Sequence, residues 1–466
     1  MNNIFKIVLV GILLHNCSFN KNSKFWTKEK IIKEAKTTQL KVLKENDLSN
    51  QKDNLLNIEF NPNLKISLYS KPINNSFSNN FDNNNGRINY DGKLKDKSKF
   101  KFSKIVNFYK YNPKIEYQKN NIIFFDNNGA ILKFDNDSKL IWKKNYYSKS
   151  EKKLKPILFF ANNGKILIVA DNISNYYALD IETGQLLWKK NNTAPFNSQI
   201  KIYKDLFFIV DYNNTLKAFS ITNGNEEWSI KTEEVLVRSQ KKLSIVIIDE
   251  KIYFNNSIGD ISAVDIKSGG LIWQRPTQSS VIYDQAFFLQ TSVIIGDKNA
   301  LYFSNNKNEF FSIDTISGII NWKQKINSNL RPTLIDNYLF TVSLDGFFII
   351  IEKNTGNIIR STNLFGELNK GSKIAFLSDK RMNPLYIFDK EVPKPDKISH
   401  NFKPTGFIVG KNNVYLSTDH GRLFIIDIAT GTTQSILKID NGKISRPSVL
   451  NQNLYVIQDN SITKLN

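Results

Sequence analysis

One phrase returns seven times along this chain: an apolar strand runs into Asp, a few polar residues and Gly, then into a second apolar strand that ends near Trp. The copies include Ala178-Leu-Asp-Ile-Glu-Thr-Gly-Gln-Leu-Leu-Trp188, Ala263-Val-Asp-Ile-Lys-Ser-Gly-Gly-Leu-Ile-Trp273 and Ser312-Ile-Asp-Thr-Ile-Ser-Gly-Ile-Ile-Asn-Trp322. The others start at Leu132, Ala218, Ile350 and Ile425. The first two of these end in Trp142 and Trp228; the last two have Arg360 and Ser435 where Trp stood. A fixed period of this length marks a chain that stacks one supersecondary unit many times.

The unit is a run of strands and tight turns. In one copy, apolar stretches beginning at Arg331, Tyr338, Phe347 and Asn357 are separated by an Asn, by Asp345-Gly346 and by Lys353-Asn-Thr-Gly356. Four short strands with turn signals between them make an antiparallel sheet of the kind used as a propeller blade. Gly184, Gly224, Gly269, Gly318, Gly356 and Gly431 fill the turn position that needs positive φ, where a Cβ is penalised. The Asp before each turn can accept from the amides of the bend, and Trp142, Trp188, Trp228, Trp273 and Trp322 offer flat faces to wedge between neighbouring sheets.

The glycines are 40, 45, 49, 38 and 75 residues apart, so the last interval holds extra chain. Residues 366–399 contain Glu391-Val-Pro-Lys-Pro-Asp396, which no central strand tolerates, and are read as an inserted loop, the alternative being a degenerate blade. After the seventh turn, Arg446 to Leu465 supplies three strands without a fourth. The stretch Lys101–Phe108 has the alternation to complete them. The expectation is an all-β, eight-bladed β-propeller over residues 98–466, with four-stranded antiparallel blades of about 46 residues, closed by an N-terminal outer strand pairing with the C-terminal strands.

Residues 1–17 carry Lys6 within an apolar run that is short for a bilayer span and suits a signal peptide. It ends at Leu14-His-Asn-Cys17, close to the site at which bacterial lipoproteins are lipidated, although Asn16 stands where a small residue is usual. Cys17 is the expected lipidation site and membrane anchor, with a plain secretory signal as the alternative. As the only cysteine, it leaves none for disulfides. Residues 18–97 are rich in Asn, Lys and Ser and read as a tether without a core, with a short helix over 27–46.

The net charge of +21 raises nucleic acid as a partner, but only eight of 64 basic residues are Arg and none interleaves with aromatics in a groove-like run. No nucleic-acid partner is expected. Metal and catalytic constellations are also missing from the pattern. His15, His400 and His420 are isolated, and the repeat carboxylates are already used by the turns.

The Asp-x-x-Thr/Ser-Gly-x-x-x-Trp phrase at blade spacing resembles the tryptophan-docking repeats of the pyrroloquinoline-quinone (PQQ) propeller superfamily. With the lipoprotein-like start, the polar tether and the closing C-terminal strands, the chain is similar to the propeller lipoproteins of the outer-membrane β-barrel assembly machinery. That resemblance implies a non-catalytic scaffold without a cofactor, on the periplasmic face of the outer membrane. Its partners would be the barrel-forming assembly protein and, through strand addition at exposed edges, unfolded outer-membrane clients. It also implies that a loop after the third turn docks on the partner, which places Val235, Val237 and Arg238 at the contact, against the alternative of an ordinary strand start. Two other readings share the fold: a PQQ-dependent quinoprotein dehydrogenase, and a propeller for another envelope partner.

Overall fold

In four of the five Trp repeats a small residue faces the Trp across the strand pair, and in the first repeat Lys133 faces Trp142. Ala178 faces Trp188, Ala218 faces Trp228, Ala263 faces Trp273 and Ser312 faces Trp322. Immediately after this pair the ladder slips by one residue in each of the seven repeats, including the two without Trp. Such a bulge sharpens the local twist and re-aims the side chain. Here it turns the ring out of its own sheet and toward the next blade.

The computed structural model describes residues 58–71, 84–85, 87–95, 97–106, 108–233, 241–278, 288–366, 375–377 and 402–466. They form eight separate sheets around one ring. Blade one takes Glu116–Gln118, Asn121–Phe125, Ile131–Phe134 and Leu140–Lys144. Blades two to seven follow in order over 158–191, 201–231, 245–275, 295–324, 333–363 and 404–438. Blade eight combines Ser448–Leu450, Asn453–Ile457 and Ser461–Leu465 with Lys97–Lys101, so the two ends of the propeller share one sheet.

The closing strand lies earlier than the sequence suggested. Lys97–Lys101 pairs from Lys97↔Leu465 to Lys101↔Ser461, while Ile105 and Phe108 bury themselves beyond it, Phe108 beginning a short helix to Tyr111. The reason is that Phe102, Ile105 and Phe108 are spaced three apart and serve the core better from an irregular segment and a helical turn than from an alternating strand. Phe100 anchors the seam, fully buried and edge-on to Phe134 of blade one at 5.6 Å.

The extra chain between blades six and seven forms no sheet of its own among the described residues. Ala375–Leu377 instead adds to the outer edge of blade seven, parallel to residues 433–438. That gives blade seven a fifth strand.

Each Gly of the repeat turn has φ near +70°, and the backbone of Gly184, Gly224, Gly269, Gly318 and Gly356 lies against the Trp of the preceding blade. The Asp before it ties the bend: Asp180 accepts from the Thr183 amide at 2.7 Å, Asp265 from Ser268 at 2.8 Å and Asp427 from Thr430 at 2.7 Å. These bonds hold the Asp180 and Asp265 carboxyls below their ordinary range. The indole Nε1 then donates to the first carbonyl of the turn, Trp188 to Ile221, Trp273 to Thr315 and Trp322 to Lys353, at 2.9 to 3.1 Å. At these three junctions blade is locked to blade by one ring and one hydrogen bond, while Trp142 and Trp228 dock by the ring alone.

This geometry gives a sharp expectation at Gly269. A Cβ there would sit 2.6 Å from the Trp228 ring at φ +70°. Gly269→Val combines left-handed strain of about 1–2 kcal/mol with overpacking of about 1–3 kcal/mol, so a loss of about 3–5 kcal/mol is expected in urea unfolding. The neighbouring Gly270→Ala has ordinary φ and meets only the Ser268 hydroxyl, and is expected to lose less than about 1 kcal/mol.

Candidate interaction site

Strand direction sorts every loop onto one of two faces. The first strand of a blade starts at what we call the front face, so the connections between blades and the hairpins between second and third strands lie there. The hairpins between first and second strands, and the Gly turns, lie on the back face. Two segments of the presumed tether depart from expectation by packing on this scaffold. Residues 58–71 run along blade six and across its back: Phe60 pairs with Ser361, Ile66 donates to Ala429 O at 3.0 Å, and Asp336 accepts from the amides of Tyr69 and Ser70 at 2.7 and 3.1 Å. Residues 84–95 follow the inner wall. Asn84 is fully buried and donates to the carbonyls of Ile245 and Ile294 at 2.9 and 3.0 Å, and Ile88, Tyr90 and Leu94 join the core between blades seven and eight. Their apolar residues are too sparse for the sequence alone to mark them as core.

Val235, Val237 and Arg238 belong to the connection between the strands ending at Lys231 and starting at Ile245, and both of those ends are at the front. Residues 234–240 themselves lie outside the described residues, as does Cys17. At the margins of the connection, Thr232 donates to Asn214 O at 3.1 Å and Lys241 reaches Asn329 O, before blade six, at 2.9 Å.

The sequence reading missed a cluster of cations at the front end of the central channel. Lys114, Arg331 and Arg446 each stand two residues before the first strand of blades one, six and eight, and Lys242 stands three before that of blade four. Lys242 Nζ reaches inward to 4.2 Å from the centre of the Phe159 ring in the inner strand of blade two. Lys114 feels the charges of Lys242, Arg331, Arg446 and Lys201, and Lys241 that of Lys443. These groups come from blades on opposite sides of the ring, so they can meet only near its axis. Burial and then these neighbours push Lys114 well below the ordinary lysine range, burial and Lys443 push Lys241 to about 7, and burial alone takes Lys242 to about 7 against the pull of Glu116. Arg446 falls to about 10 through burial. The signal in the sequence was the Pro beside each of Pro113-Lys114, Arg331-Pro332 and Arg446-Pro447, recurring at blade starts.

A consequence follows for stability against pH. Lys241 and Lys242 release protons near pH 7 in the folded chain but near the ordinary lysine value of about 10.4 when unfolded. Between these values the unfolded state binds more protons, so stability rises with pH; below about pH 7 both states are protonated and the gain is absent. With Lys114, Lys201, Lys443, Arg331, Arg446, Glu116 and Asp419 as the surrounding charges, the gain from pH 6.5 to 9 is expected to be about 2 kcal/mol after allowing for screening by channel water. The urea midpoint measured at pH 6.5, 8 and 9 should climb; a flat or falling series contradicts it.

A quinone cofactor with its divalent cation is what PQQ-repeat propellers suggest for an axial channel. Among the described residues no group of three or more His, Cys, Asp or Glu could hold a metal ion, and Glu116 accepts from Asn162 Nδ2 at 2.6 Å among the lysines.

Eight blades, seven of four strands and one with a fifth, locked by Trp on Gly at five junctions and sealed by shared termini, define a tryptophan-docked β-propeller of the PQQ-repeat class. A family model described as outer membrane protein assembly factor BamB matches residues 127–362, half of the chain, from the third strand of blade one through blade six, and the chain belongs to that family. It is 23% identical to the outer membrane protein assembly factor BamB of Shewanella oneidensis over 322 residues, 62% of this chain and 79% of that one. It is also 23% identical to the BamB of Legionella pneumophila over 174 residues, 35% of this chain and 42% of that one. Among solved structures, BamB from Moraxella catarrhalis matches with a TM-score of 0.57 at 14% identity, covering 79% of this chain and 99% of that chain. A quinohemoprotein alcohol dehydrogenase from Comamonas testosteroni matches at 0.52 and 12%, covering 82% and 78%. At these identities the structural likenesses show the fold alone.

Proposed function

We propose that the chain is a non-catalytic scaffold in outer-membrane protein assembly, held at the periplasmic face of the outer membrane through a lipid on Cys17. It binds the barrel-forming assembly protein through its front face and brings unfolded clients to it. The observation that carries this reading is the family match from the third strand of blade one through blade six, combined with a repeat whose Asp, Gly and Trp are consumed by docking blade to blade. A rigid ring with its loops displayed on a flat face is suited to holding a partner. Within that face Val235 and Val237 supply an apolar anchor and Arg238 a bidentate donor to a carboxylate.

The test is Arg238→Glu with recovery of the barrel assembly protein by pull-down from envelope extracts. Reversing a charge inside an interface typically costs about 2–5 kcal/mol, so recovery is expected to fall more than tenfold. Unchanged recovery removes this residue from the contact. The likeness to a quinohemoprotein dehydrogenase is examined separately by adding PQQ and Ca²⁺ to purified protein; no dye reduction is expected, and turnover would return the enzyme reading.

A further inference from the structure

The cations at the front of the channel are arranged for a ligand. Lys114, Arg331 and Arg446 occupy one repeat position in three different blades, each beside a Pro that fixes the backbone as it turns into the inner strand. Lys242 joins them from blade four, with its ammonium over Phe159. None of these four forms an ion pair among the described residues, and the Arg446 guanidinium spends one donor, Nε, on Phe407 O at 2.8 Å. The acid that faces them is Glu116, already engaged by Asn162. Like charges gathered from four blades repel one another strongly in a narrow, protein-walled space, and the same walls focus their field on an incoming anion. Residues 84–85 lie along the wall at blades four to six, held by Ile245, Ile294 and Leu334.

We propose that the front mouth of the axial channel is a binding site for a compact oxyanion of charge two or more, a polyphosphate or polycarboxylate gripped by Lys114, Lys242, Arg331 and Arg446. The two guanidinium forks supply planar, bidentate recognition and the two ammonium groups supply point charges. This inference does not depend on the assembly partner, because it concerns a channel ligand that purified protein binds alone.

Calorimetry and thermal melting of the purified protein at pH 6.5 test it, with inorganic pyrophosphate and citrate as probes and sodium chloride at matched ionic strength as the reference. Either probe is expected to bind one to one and to raise the melting temperature beyond the chloride reference. The double variant Arg331→Gln, Arg446→Gln should weaken binding at least tenfold while melting higher than the parent without ligand. Glu116→Gln removes the opposing acid and should tighten binding several-fold, a readout that survives if the double variant folds poorly. Lys298→Gln, at a side chain 81% exposed, should leave affinity unchanged. Absence of binding and of any shift beyond chloride with both probes overturns the proposal. So does an affinity indifferent to the double variant and to Glu116→Gln.

Discussion

Phe100→Asp will open the ring. Phe100 is fully buried where the N-terminal strand meets Ile462, edge-on to Phe134 and 6.2 Å from Tyr455, so its ring belongs to blades eight and one together. A carboxylate there loses the aromatic packing, about 3–5 kcal/mol for a large-to-small core change, and adds the cost of an unpaired buried polar group. The expected loss exceeds about 5 kcal/mol in urea unfolding. It should come with a second signature. Once Lys97–Lys101 is released, residues 461–465 present an unpaired strand edge, which templates association. Size-exclusion chromatography should therefore show oligomers, and limited proteolysis should cut before residue 108. Phe100→Leu keeps an apolar side chain and is expected to stay monomeric. A monomeric, stable Phe100→Asp protein would mean that the ring is not held shut at this seam.

The second large effect is expected at Arg360, which the sequence presents as a repeat that lost its Trp. The side chain is fully buried and does the missing work by other means. Its Nη2 donates at 2.8 Å to Ile428 O, the same first carbonyl of the next turn that receives an indole N–H elsewhere, and it lies against Gly431 as the Trp rings lie against their glycines. Nη1 donates to Ala429 O and, at 2.9 Å, to Leu64 O, so one guanidinium ties blade six to blade seven and both to the N-terminal segment. The planar fork makes this possible; an ammonium would satisfy fewer of these acceptors. Arg360→Met leaves buried carbonyls without donors, at about 1–3 kcal/mol each, and should cost about 3–5 kcal/mol. Arg360→Trp restores a ring and one donor, and should lie between Met and the parent. In both variants residues 58–71 should become cleavable by protease before the propeller unfolds. Equal stability of Trp and Met variants would contradict the docking role.

What the sequence revealed, and what it hid, follows from how each feature encodes itself. Gly at positive φ and Trp in its fixed place are demanded by one local geometry, repeated, so Gly269 and Trp228 are legible without any knowledge of their contact. Closure was legible too, because three C-terminal strands require a fourth. Its position was not, since Lys97–Lys101 has a single apolar residue and an edge strand needs no more than that. Residues 58–71 and 84–95 were read as a plain tether because their burial rests on backbone hydrogen bonds and on isolated side chains such as Ile66, Tyr90 and Asn84. The channel cations were hidden for a different reason. Lys114, Lys242, Arg331 and Arg446 are far apart along the chain, and only a closed ring brings blades one, four, six and eight to a common axis.

The proposed role requires a front face that meets a protein partner while the Gly turns of the back face dock blade to blade. Photo-crosslinking residues placed in living cells at Arg238 and Asn213 on the front, and at Ser268 and Thr430 on the back, test this directly. Adducts to the barrel assembly protein from the front positions and none from the back are predicted. Adducts from the back positions alone, or none to that protein from either face, would contradict it.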